Sequence, residues 1–154
     1  MSTPLPAIYS HPDQAAACIL LSAAGLPTED LIAPRLHDFW GCRDGEKLIG
    51  VIGLEIFGAV ALVRSLTVAP DWQGQGLGKA LLAQAEQTAQ QRGVQALYLL
   101  TITAENFFAI QGYTPIPRAV APPVLQQTAE FTTLCPASAV CMTKPLSKLE
   151  NSSA

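Results

Sequence analysis

Val68-Ala69-Pro70-Asp71-Trp72-Gln73-Gly74-Gln75-Gly76-Leu77-Gly78-Lys79-Ala80-Leu81-Leu82 is the stretch from which the rest of the chain can be read. The β-branched and apolar run from Val60 to Val68 ends at Pro70, a residue that cannot donate to a sheet ladder. Three glycines at alternate positions then lead into an amphipathic helix, with Leu77, Ala80, Leu81, Ala85, Thr88 and Ala89 on one face. A strand, a glycine turn and a helix start, in that order, build an anion site. The first helical turn leaves backbone N–H groups without partners, and the helix dipole favours negative charge there. Glycines remove the Cβ atoms that would hold a phosphate away from those amides. The stretch is therefore read as a pyrophosphate cradle.

Spacing excludes two common nucleotide loops. A Walker A loop has four residues between its glycines and then Lys followed by Ser or Thr. Here Gly74 and Gly78 have three between them, and Lys79 is followed by Ala80. The dinucleotide fingerprint separates its last two glycines by two residues, whereas Gly76 and Gly78 are separated by one. What remains, Gln73-x-x-Gly76-x-Gly78, resembles motif A of the GNAT acetyltransferases, whose loop holds the pyrophosphate of acetyl-coenzyme A.

Composition narrows the remaining classes. A length of 154 residues suits one domain with a real core, expected over residues 1–146 and followed by a polar tail, 147–154, expected to be disordered. Apolar residues make up 49% of the chain, yet no run approaches the ~20 residues of a membrane span, and no secretory signal is apparent. Net charge is −3 without a basic cluster, which argues against nucleic acid as a partner. Cys18, Cys42, Cys135 and Cys141 fit neither a disulfide framework nor a zinc pattern, and His11 and His37 make no metal set. Buried thiols in a reducing cytoplasm are the reading that follows.

Along the chain, Leu5–Tyr9 reads as a short edge strand, and Ser10 or Asp13 can cap a helix through Ala15–Leu21 that stops at Gly25. Thr28–Leu31 reads as a single capped turn. Asp38–Cys42 and Lys47–Leu54 form a hairpin around Asp44-Gly45, and Val60–Val68 follows after a turn at Gly58. The glycine loop's helix runs to Arg92, and Ala96–Ile102 is a continuous apolar run read as a buried central strand. A short helix over Ala104–Ile110, a strand from Tyr113, a helical turn over Val124–Thr128 and a last strand over Ala137–Thr143 complete the order. The fold class is α+β, with a mixed, mostly antiparallel sheet of six to seven strands flanked by helices.

That order is similar to the GNAT fold from Leu5 to Leu146. The resemblance implies a bulge in the strand before the loop and a sheet splayed at the cofactor site. It places Leu66, Thr67 and Val68 against the pantetheine arm, with the Leu66 backbone polarising the thioester carbonyl. Gln73, Gly74, Gln75, Gly76, Leu77, Gly78 and Lys79 surround the pyrophosphate, and Thr101 ends the neighbouring strand. A narrower likeness, carried by Leu62–Val68, Thr103-Ala104-Glu105-x-Phe107-Phe108, Thr128-x-Glu130-Phe131 and Leu134-Cys135-Pro136-x-Ser138-Ala139, is to the GNAT proteins of bacterial arsenic-resistance operons. Many GNATs place Tyr four residues before the Gly-Tyr/Phe pair, where it protonates the departing thiolate. Counting back from Gly112 gives Phe108, and Thr101 stands where Asn is usual. The customary general acid is missing.

Acetyl transfer needs an uncharged amine in line with the thioester, a proton acceptor, and donors for the oxyanion. Glu55, at the end of a mostly apolar strand, is the candidate base, with a solvated edge carboxylate as its plain alternative. Arg64 interrupts an apolar strand and admits two readings: an ion pair with Glu55 across the hairpin, or a fork for an anionic substrate group. Arg118 is a second candidate anion contact, and Glu130 an alternative carboxylate at the substrate. Cys135 and Cys141 are packing thiols or, on the arsenic likeness, metalloid ligands. The expected activity is acetyl-coenzyme A-dependent N-acetylation of a small, anionic, amino-acid-like amine, with detoxification linked to arsenic resistance as its setting. The alternative is a non-catalytic module binding acyl-coenzyme A or a metalloid. The expected partner is a small-molecule amine, with neither nucleic acid nor membrane, and a homodimer is the assembly allowed for.

Overall fold

Seven strands form one mixed sheet in the computed structural model, which describes residues 5–146. They are β1 (Ile8–Ser10), β2 (Phe39–Asp44), β3 (Lys47–Phe57), β4 (Val60–Val68), β5 (Ala96–Thr101), β6 (Thr114–Ile116) and β7 (Val140–Pro145). Their order is β1-β2-β3-β4-β5-β7-β6. Pairing of β4 with β5 is parallel, while β1–β2, β2–β3, β5–β7 and β6–β7 are antiparallel. Helices α1 (Gln14–Ala23), α2 (Leu77–Gln91), α3 (Glu105–Ile110) and α4 (Pro123–Gln126) flank the sheet, as the α+β reading requires. The polar tail expected over 147–154 lies outside the described residues. None of the described helices is long and apolar enough to cross a membrane.

The chain divides into two compact units, Met1–Leu54 with Ser65–Ala85, and Glu55–Arg64 with Glu86–Ala154. In the first, Asp13 rather than Ser10 caps α1, its carboxylate accepting from the Ala16 N–H at 3.0 Å. Ala17 and Leu21 of that helix join Leu31, Leu36, Phe39, Leu48 and Val51 in one apolar core. The β2–β3 hairpin pairs Asp44 with Lys47, so its turn is Gly45-Glu46, one residue later than the sequence reading places it. Gly45 has φ 64°, as the first central position of a type II′ turn demands. Two glycines of β3 serve close approach instead. A Cβ on Gly53 would run into the Phe39 ring opposite, and one on Gly50 would stand 2.9 Å from Leu81 Cδ1 and 3.2 Å from Leu77 Cδ2. The first turns of α2 therefore rest directly on β3.

In the second unit, the apolar run of β5 alternates. Leu97 and Leu99 are fully buried, while Tyr98 and Leu100 pack against a core of Leu62, Ala121, Leu125, Phe131 and Cys141. An apolar residue at every position thus reflects two apolar faces of unequal depth. β7 starts at Val140 rather than Ala137, because Pro136–Ala139 closes a turn with a 3.0 Å bond from the Ala139 N–H to the Pro136 carbonyl. The terminal strand β6 is three residues long with Pro115 at its centre. Beneath it, the Tyr113 hydroxyl donates to Glu86 at 2.8 Å, and Lys144 donates to Glu86 at 3.1 Å and to the Gln111 carbonyl at 2.9 Å. Sequence reading misses the short 3₁₀ turns Ala33–Asp38, Pro70–Trp72 and Arg118–Val120, and a π-helical turn, Glu130–Leu134, closed by a 3.0 Å bond from the Cys135 N–H to the Glu130 carbonyl.

Candidate active site

The first unit carries the glycine loop. Within β4, Ser65 adopts φ 62°. A left-handed residue inside a strand is the mark of a bulge that re-aims the backbone beyond it. Leu66, Thr67 and Val68 follow immediately. Thr67 is buried, and its Oγ1 has no hydrogen-bond partner among the described residues. An unsatisfied buried hydroxyl costs on the order of 1–3 kcal/mol, so its presence beside a bulge points to a ligand.

After β4 the chain is drawn tight. The Ala69 N–H donates to the Ile49 carbonyl at 2.8 Å, and a 3₁₀ turn, Pro70–Trp72, follows. Gln73 Nε2 donates back to the Val68 carbonyl at 3.0 Å, and Gln75 Nε2 to the Asp71 carbonyl at 3.3 Å. Both glutamines brace the loop through their own backbone neighbours. Gly74 and Gly76 have φ 81° and 89°, and a Cβ on either would meet nothing within 4 Å. Backbone conformation, not crowding, is what calls for glycine at these two positions. The Gly76 carbonyl accepts from the Ala80 N–H at 3.0 Å, so α2 opens with the amides of Leu77, Gly78 and Lys79 in its first turn. Left-handed glycines, the first-turn amides of a 15-residue helix and an orphan hydroxyl fit the phosphates and the pantetheine arm of coenzyme A.

The second unit carries a charge cluster. Arg64 lies in β4 and Glu55 in β3, and Arg64 Nη1 donates to Glu55 Oε2 at 2.7 Å. Arg64 Nη2 stands 3.3 Å from Glu130 Oε2. Side-chain exposures are 0% for Arg64, 9% for Glu55 and 5% for Glu130, so water screens this trio little. The ion pair expected across the hairpin is present, and the late-loop carboxylate joins it. The Cys135 thiol donates to Glu130, and burial followed by the Glu130 charge pushes its pKa up to about 12. Cys141 is pushed up by burial as well. All four cysteines are free, and among the described residues no cluster of three His, Cys, Asp or Glu could hold a metal ion.

Other sequence candidates serve neighbours. Arg118, expected to meet an anion, donates from Nη1 to the Pro136 carbonyl at 2.6 Å and from Nη2 to the Phe131 carbonyl at 2.7 Å. The Thr101 hydroxyl accepts from the Ala104 N–H at 3.0 Å and so shapes the turn into α3. Phe108 is buried, edge-on to Tyr113 with ring centroids 5.6 Å apart, and offers no proton. Burial and the Glu86 charge push the Tyr113 phenol above the ordinary tyrosine range, so that hydroxyl keeps its proton as well. His11 and His37 stack on one another at 4.4 Å.

Comparison with known proteins bears on this arrangement. The acetyltransferase (GNAT) family model matches residues 7–114. An uncharacterized N-acetyltransferase of Chlorobaculum tepidum is 27% identical over 111 residues, covering 71% of this chain and 69% of that protein. The structure of N-acetylglutamate synthase from Neisseria gonorrhoeae, complexed with coenzyme A and N-acetyl-glutamate, superposes with a TM-score of 0.79 at 17% identity. That match covers 96% of this chain but 36% of the synthase, so the chain spans about a third of its length. Rv2747 from Mycobacterium tuberculosis, in complex with CoA and NLQ, superposes with a TM-score of 0.74 at 19% identity, covering 92% of this chain and 100% of that one. At such identities these two likenesses are likenesses of fold. The family match spans most of the chain, and the bulged strand and glycine loop lie inside it. This chain belongs to the acetyltransferase (GNAT) family, and with that family come acyl transfer and acetyl-coenzyme A as cosubstrate.

Proposed function

We propose that the chain N-acetylates the primary amine of a small amino-acid-like molecule that also bears an acidic group. The observation that carries this reading is the buried Glu55–Arg64–Glu130 trio. Two carboxylates around one guanidinium leave a net negative cluster, which complements the acceptor's ammonium. The Neisseria synthase, whose crystals contain N-acetyl-glutamate, supports an acidic amino acid as the acceptor class. The likeness of Leu134-Cys135-Pro136-x-Ser138-Ala139 to proteins of arsenic-resistance operons supports a detoxifying acetylation as the setting.

In this reading acetyl-coenzyme A supplies the activated acetyl group, and the residues of this chain do the rest. Amides from Gln73 to Lys79 grip the pyrophosphate, while Leu66–Val68 and the Thr67 hydroxyl hold the pantetheine arm. The Leu66 N–H polarises the thioester carbonyl. Glu55 takes one proton from the acceptor's ammonium and frees the nitrogen lone pair; the neutral amine then attacks, the N–C bond forms, the C–S bond breaks, and the proton the nitrogen sheds on becoming an amide goes to solvent. With Phe108 in place of a tyrosine, the departing thiolate takes its proton from solvent. A positioned base adds about 10²–10⁴-fold, so binding and orientation supply the remainder.

Phe108 also favours the rival reading of a regulatory module that binds acyl-coenzyme A without turnover. Thiol release measured over a panel of acidic, neutral and basic amines separates the two. Release that saturates with an acidic amine supports the enzyme; tight coenzyme A binding with no amine-dependent release supports the rival.

A further inference from the structure

Arg118 is a heavily engaged side chain of the second unit that no step above uses. Its Nη1 donates to the Pro136 carbonyl at 2.6 Å, and its Nη2 reaches the Phe131 carbonyl at 2.7 Å and the Cys135 carbonyl at 3.4 Å. The guanidinium also lies over the Phe131 ring, 5.5 Å from its centroid. Its own backbone is fixed in turn, for Gln126 Nε2 donates to the Arg118 carbonyl at 2.7 Å and to the Ala121 carbonyl at 3.2 Å. Every carbonyl that Arg118 grips belongs to the π-helical turn Glu130–Leu134 or to the two residues after it. A π turn is rare, and here contacts from outside brace it. Glu130 is its first residue.

We infer that Arg118 is a positioning residue, which locks the π turn from outside and thereby keeps the Glu130 carboxylate on Arg64. The inference rests on the proposed function only for its catalytic consequence, since the clamp itself is geometric. Lysine cannot replace it: a single ammonium has no planar fork to span three carbonyls, nor the flat face that lies on Phe131. Loosening the turn moves Glu130 away from Arg64 and alters the acceptor site without touching the glycine loop.

Cys135 reports on the clamp independently of turnover. Its thiol is held up by burial and by Glu130, and Arg118 and Arg64 act on it in the opposite direction. Deleting the Arg118 charge with the turn intact would therefore raise the thiol further and slow its alkylation. Releasing the turn exposes the sulfur, separates it from Glu130 and speeds the reaction. The two effects differ in sign, which makes the test decisive.

The experiment uses the full chain, Arg118→Gln and Arg118→Lys, with iodoacetamide alkylation of the Cys135 peptide followed by mass spectrometry against pH and Cys18 as internal reference. For Arg118→Gln we expect alkylation at pH 8 to rise by about tenfold, the effect of a one-unit fall in thiol pKa, with Cys18 unchanged. Arg118→Lys should show the same rise; it serves alone should Arg118→Gln fail to fold. Unchanged or slower alkylation in the soluble variant overturns the clamp. Acetyl transfer is scored separately, the expected change being a raised KM for the acceptor with KM for acetyl-coenzyme A unmoved. Faster Cys135 alkylation in a protein that acetylates no amine leaves the clamp standing and removes the proposed function. Turnover with an unresponsive Cys135 does the reverse.

Discussion

β4 carries Arg64 of the charge cluster and leads into the glycine loop, yet the two are built by opposite means. Beyond Ser65, β4 leads into a site made from main chain: left-handed glycines, first-turn amides, and glutamines folded back on carbonyls four and five residues away. Before Ser65 it carries Arg64, whose partners come from β3, nine residues earlier, and from Glu130, sixty-six residues later. One site tolerates most side chains but few backbone changes. The other depends on three particular side chains meeting.

Changes that separate the two regions test that contrast. The largest effect is expected from Arg64→Met, which leaves Glu55 and Glu130 facing each other without their cation. Breaking a buried pair in this way costs about 3–5 kcal/mol, read as a fall in the urea midpoint. A stability within 1 kcal/mol of the parent would mean the cluster is solvated and carries no such role. Next, Glu55→Gln should lower kcat by about 10²–10⁴ while calorimetric affinity for coenzyme A stays unchanged. Loss of coenzyme A binding in that variant would erase the division between the regions.

Gly76→Ala should do the converse. Forcing a Cβ onto φ 89° costs roughly 1–2 kcal/mol, and the loop can avoid that strain by changing shape, so coenzyme A affinity should fall by about tenfold. The smallest effect expected is from Thr67→Val. Removing an orphan hydroxyl should leave stability level or slightly improved, while coenzyme A binds a few-fold more weakly. Weaker folding with unaltered binding would show that Oγ1 serves the fold and not the ligand.

A pH dependence follows from Cys135. Its folded thiol is pushed up to about 12, above the ~8.5 of an unfolded cysteine. The unfolded chain therefore loses that proton first as pH rises. The stabilisation is fully present below the unfolded value and is lost between there and the folded one. Cys135→Ala should flatten the alkaline limb of the stability profile, and an unaltered limb would exclude the thiol as its source.

This contrast also explains what could be read before the structure. Val60–Val68 is a strand over the range that its β-branched run suggests, and the loop after it could be read because its chemistry is local. The Gly45-Glu46 turn shows the limit of local reading, since only cross-strand register decides which pair turns. Glu55 stands at the end of a mostly apolar strand and Arg64 interrupts another, and the ion pair, one of the two readings that Arg64 admits, is present. That Glu130 completes the cluster depends on a π turn, which has no signature in side-chain periodicity. Arg118 illustrates the same gap: a loop arginine looks solvated or anion-seeking until the carbonyls around it are known.

Pro115, centred in a three-residue β6, has a consequence for how copies of the molecule meet. β6 ends the strand order on one side, and the equally brief β1 ends it on the other. A strand so short, interrupted by a residue with no N–H to give, makes a poor template for a foreign ladder. Crowded solutions of this protein should therefore resist fibril growth from the β6 margin.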